Sequence, residues 1–288
     1  MKKVLIVLMI FILLFTTGCD PDDSDTGGTV PSDPGIGLEI VDEELNLSDT
    51  LVKSLYAYVN IIPHYQKNYY FYSKKQLAVS SFDNIEKHYF AFRYIPKNDF
   101  VIKGKNGSGT FTITPANYQK ALERYFGPDV EFTSDATVSF KAVRDGLVKN
   151  ASGIDVRFNT SKNLYTGEVG GIGGSEYLYE PIYARLVGAR KYGDTIILTQ
   201  KYIFVTSDFT DADENASYDE LWSYDVYADY DKLVLLASRD NIEVKWDKWS
   251  SYKKLLKLDD FISQAGTIEY TFKLGSDNEY HFYSSELK

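Results

Sequence analysis

Thr267-Ile268-Glu269-Tyr270-Thr271-Phe272-Lys273-Leu274, then Gly275-Ser276-Asp277-Asn278, then Glu279-Tyr280-His281-Phe282-Tyr283, is the stretch that decides the fold class. Ile268, Tyr270, Phe272 and Leu274 alternate with Thr267, Glu269, Thr271 and Lys273. A period of two turns one set toward a core and the other toward water. The four residues from Gly275 are turn formers, so the stretch reads as a terminal antiparallel hairpin with His281 on the outward side beside Tyr283.

Upstream of the hairpin a helical segment is expected around Leu255 to Gln264. Asp194 to Ser207 reads as one long strand. Ile196, Leu198, Tyr202 and Phe204 share one face, and Ile197, Ile203 and Val205 share the other. Further strands are expected at about Tyr177 to Val187 and Asp225 to Ser238.

Before Gly127 the period is helical. Ser48 can cap a helix whose stripe is Leu51, Leu55, Val59 and Ile62, ending at Pro63. Asp83 and Glu86 form a capping box ahead of Ile85, Tyr89 and Phe92, with Pro96 as the stop. Thr114 and Pro115 open a third helix with Tyr118, Leu122 and Tyr125 on one face, closed by Gly127-Pro128. Helices first and strands later predict an α+β fold, with N-terminal helices packed on a twisted antiparallel sheet in the manner of cystatin or NTF2-like domains. The expected unit is a single domain over 38–288, with an alternative division into a helical half, 38–127, and a strand-rich half, 128–288.

The chain has 288 residues, a net charge of −10 and one cysteine. A polyanion is a poor partner for nucleic acid, whose affinity rests on cations set against phosphates. One cysteine excludes a disulfide framework. The first 18 residues read as an export signal. Lys2 and Lys3 precede an apolar run, Val4 to Phe15, that is too short to span a bilayer comfortably. Thr16-Thr17-Gly18-Cys19 then resembles the lipobox of bacterial lipoproteins, although Thr16 stands where leucine is usual. The resemblance implies cleavage after Gly18, lipidation of the Cys19 thiol with palmitate-type acyl chains, and a protein held on the outer face of the cytoplasmic membrane. Residues 19–37 follow as an acidic, flexible tether. From Asp20 to Asp49 there are ten Asp or Glu and no Lys or Arg.

The body also resembles uncharacterised surface lipoproteins of low-GC Gram-positive bacteria. The likeness is carried by Leu51-Val52-Lys53-Ser54-Leu55-Tyr56, by Thr114-Pro115 with Tyr125-Phe126-Gly127-Pro128, by the glycine turn near Gly170, and by Tyr270-Thr271-Phe272-Lys273. It implies a location and a fold but no activity.

The chemical motifs are thin. Gly170-Gly171-Ile172-Gly173-Gly174 is followed by Ser175-Glu176, where an acid would repel a phosphate, so it reads as a turn or lid. Ser250-Ser251-Tyr252-Lys253-Lys254 and Ser276-Asp277-Asn278 spell S-x-x-K and S-D-N in the wrong setting for a penicillin-recognising enzyme. His64, His88 and His281 have no G-x-S-x-G partner and read as surface or packing residues. The spacings hold no zinc site. The acidic stretch Asp208, Asp211, Asp213, Glu214, Asp219 and Glu220 places Ala216 where an EF-hand needs glycine. Neither a cofactor, a metal nor a catalytic set is therefore expected.

The remaining candidate is aromatic. Trp222, Trp246 and Trp249, with Tyr224 and Tyr227, could form a face for an envelope glycan or peptide. Half-buried strands use the same residues as ordinary cross-strand pairs. Two functions stay open: non-catalytic binding at the cell envelope, or an envelope hydrolase working with paired carboxylates.

Overall fold

The computed structural model describes residues 42–60, 70–149, 151–170, 182–248 and 256–288. Within them lie thirteen strands and three α-helices. Every strand pairing is antiparallel, and the strands fall into two sheets.

The larger sheet is built around β9 (Thr195–Asp211). One edge of its first half carries β8 (Ile182–Tyr192), beyond which lies the short acidic strand β1 (Asp42–Glu44). The other edge carries β12 (Gly266–Leu274), then β13 (Tyr280–Leu287) and β2 (Gln76–Ala78). Past Tyr202, β10 (Glu220–Tyr227) replaces β12 beside β9, and β11 (Leu235–Val244) pairs with β10. Gly266 sits at this hand-over, where a Cβ would run into the Ala228 carbonyl and the Tyr202 ring. The smaller sheet has the order β3 (Val101–Lys105), β4 (Ser108–Ile113), β7 (Leu164–Gly170), β6 (Ala151–Asn159) and β5 (Ser139–Val148).

This arrangement overturns the expected helices on a single sheet of cystatin or NTF2-like type. Among the described residues the fold is mostly β, with two sheets and three short helices. The reason is that β3 and β4 interrupt the helical part of the sequence, and β5 to β7 build a sheet that helical periodicity upstream does not announce. Both sheets draw strands from either side of Gly127.

The second and third helices start where their punctuation places them. The first is capped by Asp49, not by the expected Ser48, with no side-chain cap hydrogen bond, and it ends at Val59. α1 (Thr50–Val59) starts after Asp49 and buries Val52, Leu55 and Val59, while Leu51 stays 43% exposed. α2 (Asn84–Phe92) has the full capping box, with Asp83 Oδ1 accepting from the Glu86 amide at 2.7 Å and Glu86 Oε2 accepting from the Asp83 amide at 2.9 Å. α3 (Pro115–Phe126) starts on Thr114, whose hydroxyl accepts from the Asn117 amide, and stops at Gly127 with φ +96°.

One aromatic core joins both sheets through these helices. Phe92 of α2 meets Phe111 and Phe140 of the smaller sheet, and Tyr118 of α3 stacks on Tyr165 at 4.0 Å. At its other end α3 sends Tyr125 against Phe282 of β13. The expected faces of β9 hold: Ile196, Leu198, Tyr202 and Phe204 enter this core, and Ile203 and Val205 enter a second cluster on the reverse side. In the terminal hairpin Ile268, Tyr270 and Phe272 are fully buried, but Leu274 is 37% exposed.

Two further expectations change. The segment 225–238 is not one strand, because a turn at 228–234 divides it. Asp229 accepts there from the Leu233 and Val234 amides, and Lys232 takes φ +59°. The helix expected at 255–264 reduces, among the described residues, to a single 3-10 turn, Leu258–Phe261.

Candidate functional site

β9 continues as a partner of β10 after β12 has ended, and β10 carries β11 on its far side. The result is a three-stranded ribbon. The β9–β10 register sets Glu220 opposite Asp211, Trp222 opposite Phe209, Tyr224 opposite Ser207 and Val226 opposite Val205. Period two places all of these pairs on one face. Phe209 lies nearly parallel to Trp222, with centroids 6.3 Å apart, and Tyr224 stands 4.7 Å from the same indole. Trp222 is 5% exposed and forms the floor of this row, whereas Phe209 is 40% exposed.

The aromatic face expected from sequence is therefore divided. Trp222 and Tyr224 belong together. Tyr227, an odd number of residues away, points through the opposite face, packs on the main core and donates its hydroxyl to Asp225 Oδ2 at 3.2 Å. Trp246 opens the 3-10 turn Trp246–Lys248 that follows β11. Trp249 lies outside the described residues, as do Gly18, Cys19, His64, most of the glycine-rich stretch after Gly170, and the S-x-x-K motifs. Phe209 was not nominated by the sequence, because only the register across β9 and β10 brings it to Trp222.

The far end of the ring row is acidic. Asp211 and Glu220 face each other directly, an unfavourable arrangement for like charges. Burial first, then Asp211 and Asp219, hold the Glu220 carboxyl above its ordinary value. Between Lys201 and Lys232 the sequence has nine Asp or Glu and no Lys or Arg. Among the described residues no group of three or more His, Cys, Asp or Glu is arranged to hold a metal ion. Asp211 is exposed and Glu220 half-buried.

His88, which reads from sequence as a surface or packing residue, and His281, expected on the outward side of the hairpin, are both buried, with different hydrogen-bond partners. His88 Nδ1 lies 2.6 Å from the Asn84 carbonyl, which can only accept, so Nδ1 carries the hydrogen. Nε2 is then an acceptor for the Tyr165 hydroxyl at 2.8 Å, and Ser134 Oγ donates to the Tyr165 oxygen. Burial pulls the His88 pKa down and pushes the Tyr165 phenol up to about 12, so the Ser134–Tyr165–His88 relay is a neutral chain. Asn84 bolts the adjoining loop down by exchanging two hydrogen bonds with the Thr133 backbone, each 2.8 Å. Every member of the relay is satisfied inside the fold, and a base with a lowered pKa is poorly placed to activate Ser134.

His281 instead faces two acceptors: the Arg124 carbonyl at 3.0 Å from Nδ1 and Asp277 Oδ1 at 3.0 Å from Nε2. The ring bridges the last turn of α3 and the turn that follows β12. Asp277, the centre of the S-D-N motif, thus sits in a turn, where its Oδ1 accepts from the Glu279 amide and meets His281 Nε2.

Comparison with protein-family models, with curated proteins and with solved structures gives no match. No described helix is long and apolar enough to cross a membrane.

Proposed function

We propose that the chain is a lipoprotein held on the outer face of the cytoplasmic membrane through Cys19, and that its folded body serves as a non-catalytic binding module of the envelope. The lipobox-like Thr16-Thr17-Gly18-Cys19 supports the location. Two acyl chains give a stable anchor where one would be marginal.

The observation that supports binding is a run of three exposed apolar residues. Leu233 is 81%, Val234 52% and Leu235 54% exposed. They lead into β11, whose outer edge pairs with no other described strand. Exposed apolar side chains beside an unpaired strand edge are a liability unless a partner covers them.

The test uses the full chain in mild detergent on arrays of envelope glycans and of peptides. A ligand retained by the native chain and lost by the Leu233→Ser, Leu235→Ser double variant is expected. Retention of every ligand by that variant would remove this surface from the account. Metabolic labelling with palmitate, abolished by Cys19→Ala, tests the anchor.

A further inference from the structure

We infer that the turn joining β10 to β11 dips the run Leu233-Val234-Leu235 into the boundary between headgroups and acyl chains of a lipid bilayer. The partner of the exposed surface is then the membrane itself. This names the partner and rests on the binding reading above.

The composition of the run is the first argument. Among the described residues the other exposed large apolar side chains stand singly, and only here do three follow one another. Consecutive exposed apolar residues are out of place at a turn, where polar residues are usual, unless they serve a contact. All three are aliphatic. Protein–protein contacts draw their energy chiefly from Trp, Tyr and Arg, with Leu and Val under-represented. A glycan would bury hydroxyls against side chains that cannot pair with them. A hydrocarbon boundary accepts aliphatic side chains without that cost.

The backbone of the turn is the second argument, and it is independent of the first. A polar group that approaches hydrocarbon must find its partner inside the protein, since lipid tails supply none. Asp229 Oδ2 accepts from the Leu233 amide at 3.0 Å, and its Oδ1 accepts from the Val234 amide at 2.8 Å. The Lys232 amide donates to the Asp229 carbonyl, and the Ala228 amide donates to the Val234 carbonyl at 3.0 Å. The amides of the run are thus paired within the turn, by a half-buried carboxylate. Behind them Tyr230 packs edge-on against Phe204 at 5.4 Å, and Ala228 is buried. The run is held outward by a fixed turn, so docking costs little ordering.

Charge sets the depth. Asp231 and Lys232 precede the run and are exposed, and charged groups stay with the headgroups, so insertion stops at the boundary. The chain carries a net charge of −10, so anionic lipid adds no attraction. An acylated Cys19 brings a bilayer within reach, because the roughly 20 residues between Cys19 and Asp42 span at most about 70 Å. Tethering makes the contact intramolecular. Three side chains, too few to hold a free protein on a membrane, are then enough to orient an anchored one.

The experiment uses the full acylated chain in vesicles of phosphatidylcholine, which carries no net charge. A Leu233→Cys variant bears a nitrobenzoxadiazole label on the new thiol, and Cys19, as a thioether, takes none. Asp155→Cys, at an exposed position on the smaller sheet, bears the same label as control. The label at position 233 is expected to shift to the blue and to be quenched by lipid with a doxyl group in its acyl chain. The label at position 155 is expected to do neither. Val234→Ser with Leu235→Ser should abolish both changes at position 233, and near-ultraviolet circular dichroism verifies that this variant folds. Equal quenching at both positions would overturn the inference, since the anchor alone would then account for it. Quenching at neither, with array ligands still lost by the Leu233→Ser, Leu235→Ser variant, would overturn the bilayer as partner and leave the binding module standing. Quenching at neither, with every array ligand retained by that variant, would overturn both. A dimer in sedimentation that the same variant dissociates would assign the run to a second copy and overturn the inference. A chain that fails to enter the vesicles would overturn the inference together with the anchor.

Discussion

The Tyr165 hydroxyl donates to His88 Nε2 across 2.8 Å, a contact that closes a gap of 77 residues and fixes the imidazole as its neutral Nδ1–H form. The pair is fully buried, and Tyr118 adds to it by donating to the His88 carbonyl at 2.7 Å while stacking on Tyr165. Removing the Tyr165 oxygen leaves His88 Nε2 without its donor and Ser134 without its acceptor. Tyr165→Phe should therefore lower stability by roughly 1–3 kcal/mol, read from urea unfolding.

The same histidine makes stability depend on pH. Burial lowers the His88 pKa below its ordinary 6.5. In the unfolded chain the ring takes up a proton as pH falls through 6.5, and the folded ring does so only at a lower pH. Between those two values the unfolded state binds more protons, so stability falls as pH falls. Unfolding midpoints from pH 7.5 downward should show this loss in the native chain and a shallower one in His88→Gln. Equal slopes would contradict it.

Asp277 acts in a more acidic window. The hydrogen bond from His281 is the main cause that holds its carboxyl below the usual value of 3.8. A depressed carboxyl contributes stability that is complete above its unfolded pKa and is lost as pH falls through the folded one. Thermal melts below about pH 4 should therefore decline less steeply in Asp277→Asn than in the native chain.

Close backbone approach gives a prediction in the smaller sheet. A Cβ on Gly167 would collide with the Asp155 carbonyl and the Phe111 ring. Neither can move aside, since one is strand backbone and the other a fully buried ring. Gly167→Ala should cost about 3 kcal/mol, measured by denaturant titration, whereas Gly170→Ala, with open space at its Cβ, should cost little.

Arg144 on β5 holds the end of α2. Its guanidinium donates to the Phe92 carbonyl at 2.7 Å and to the Ile95 carbonyl, and it lies 4.7 Å from the centre of the Phe100 ring. The Phe92 carbonyl, in the last turn of α2, also accepts from the Ile95 amide at 3.4 Å, and Ile95 lies three residues past the helix. Arg144→Met should fill the same space yet lose about 2 kcal/mol, because both partly buried carbonyls lose a charged donor. Circular dichroism with urea titration measures it.

What the amino-acid sequence determined alone is what depends on near neighbours. Asp83 with Glu86 and Thr114 with Pro115 start helices because a cap needs only residues three positions away, and Gly127 ends one because its own φ must be positive. The faces of β9 and most of the inward set of β12 were legible because alternation is a property of one strand. The partition into two sheets was not legible, because antiparallel strands find partners through hydrogen bonds between distant segments. The same distance hid Phe209 from Trp222, Tyr165 from His88, and Arg144 from the end of α2. Tertiary structure alone decided that Tyr227 leaves the aromatic face and that two polar histidines are buried. Burial and register are set by whatever segment packs opposite, and no local pattern of side chains carries that information.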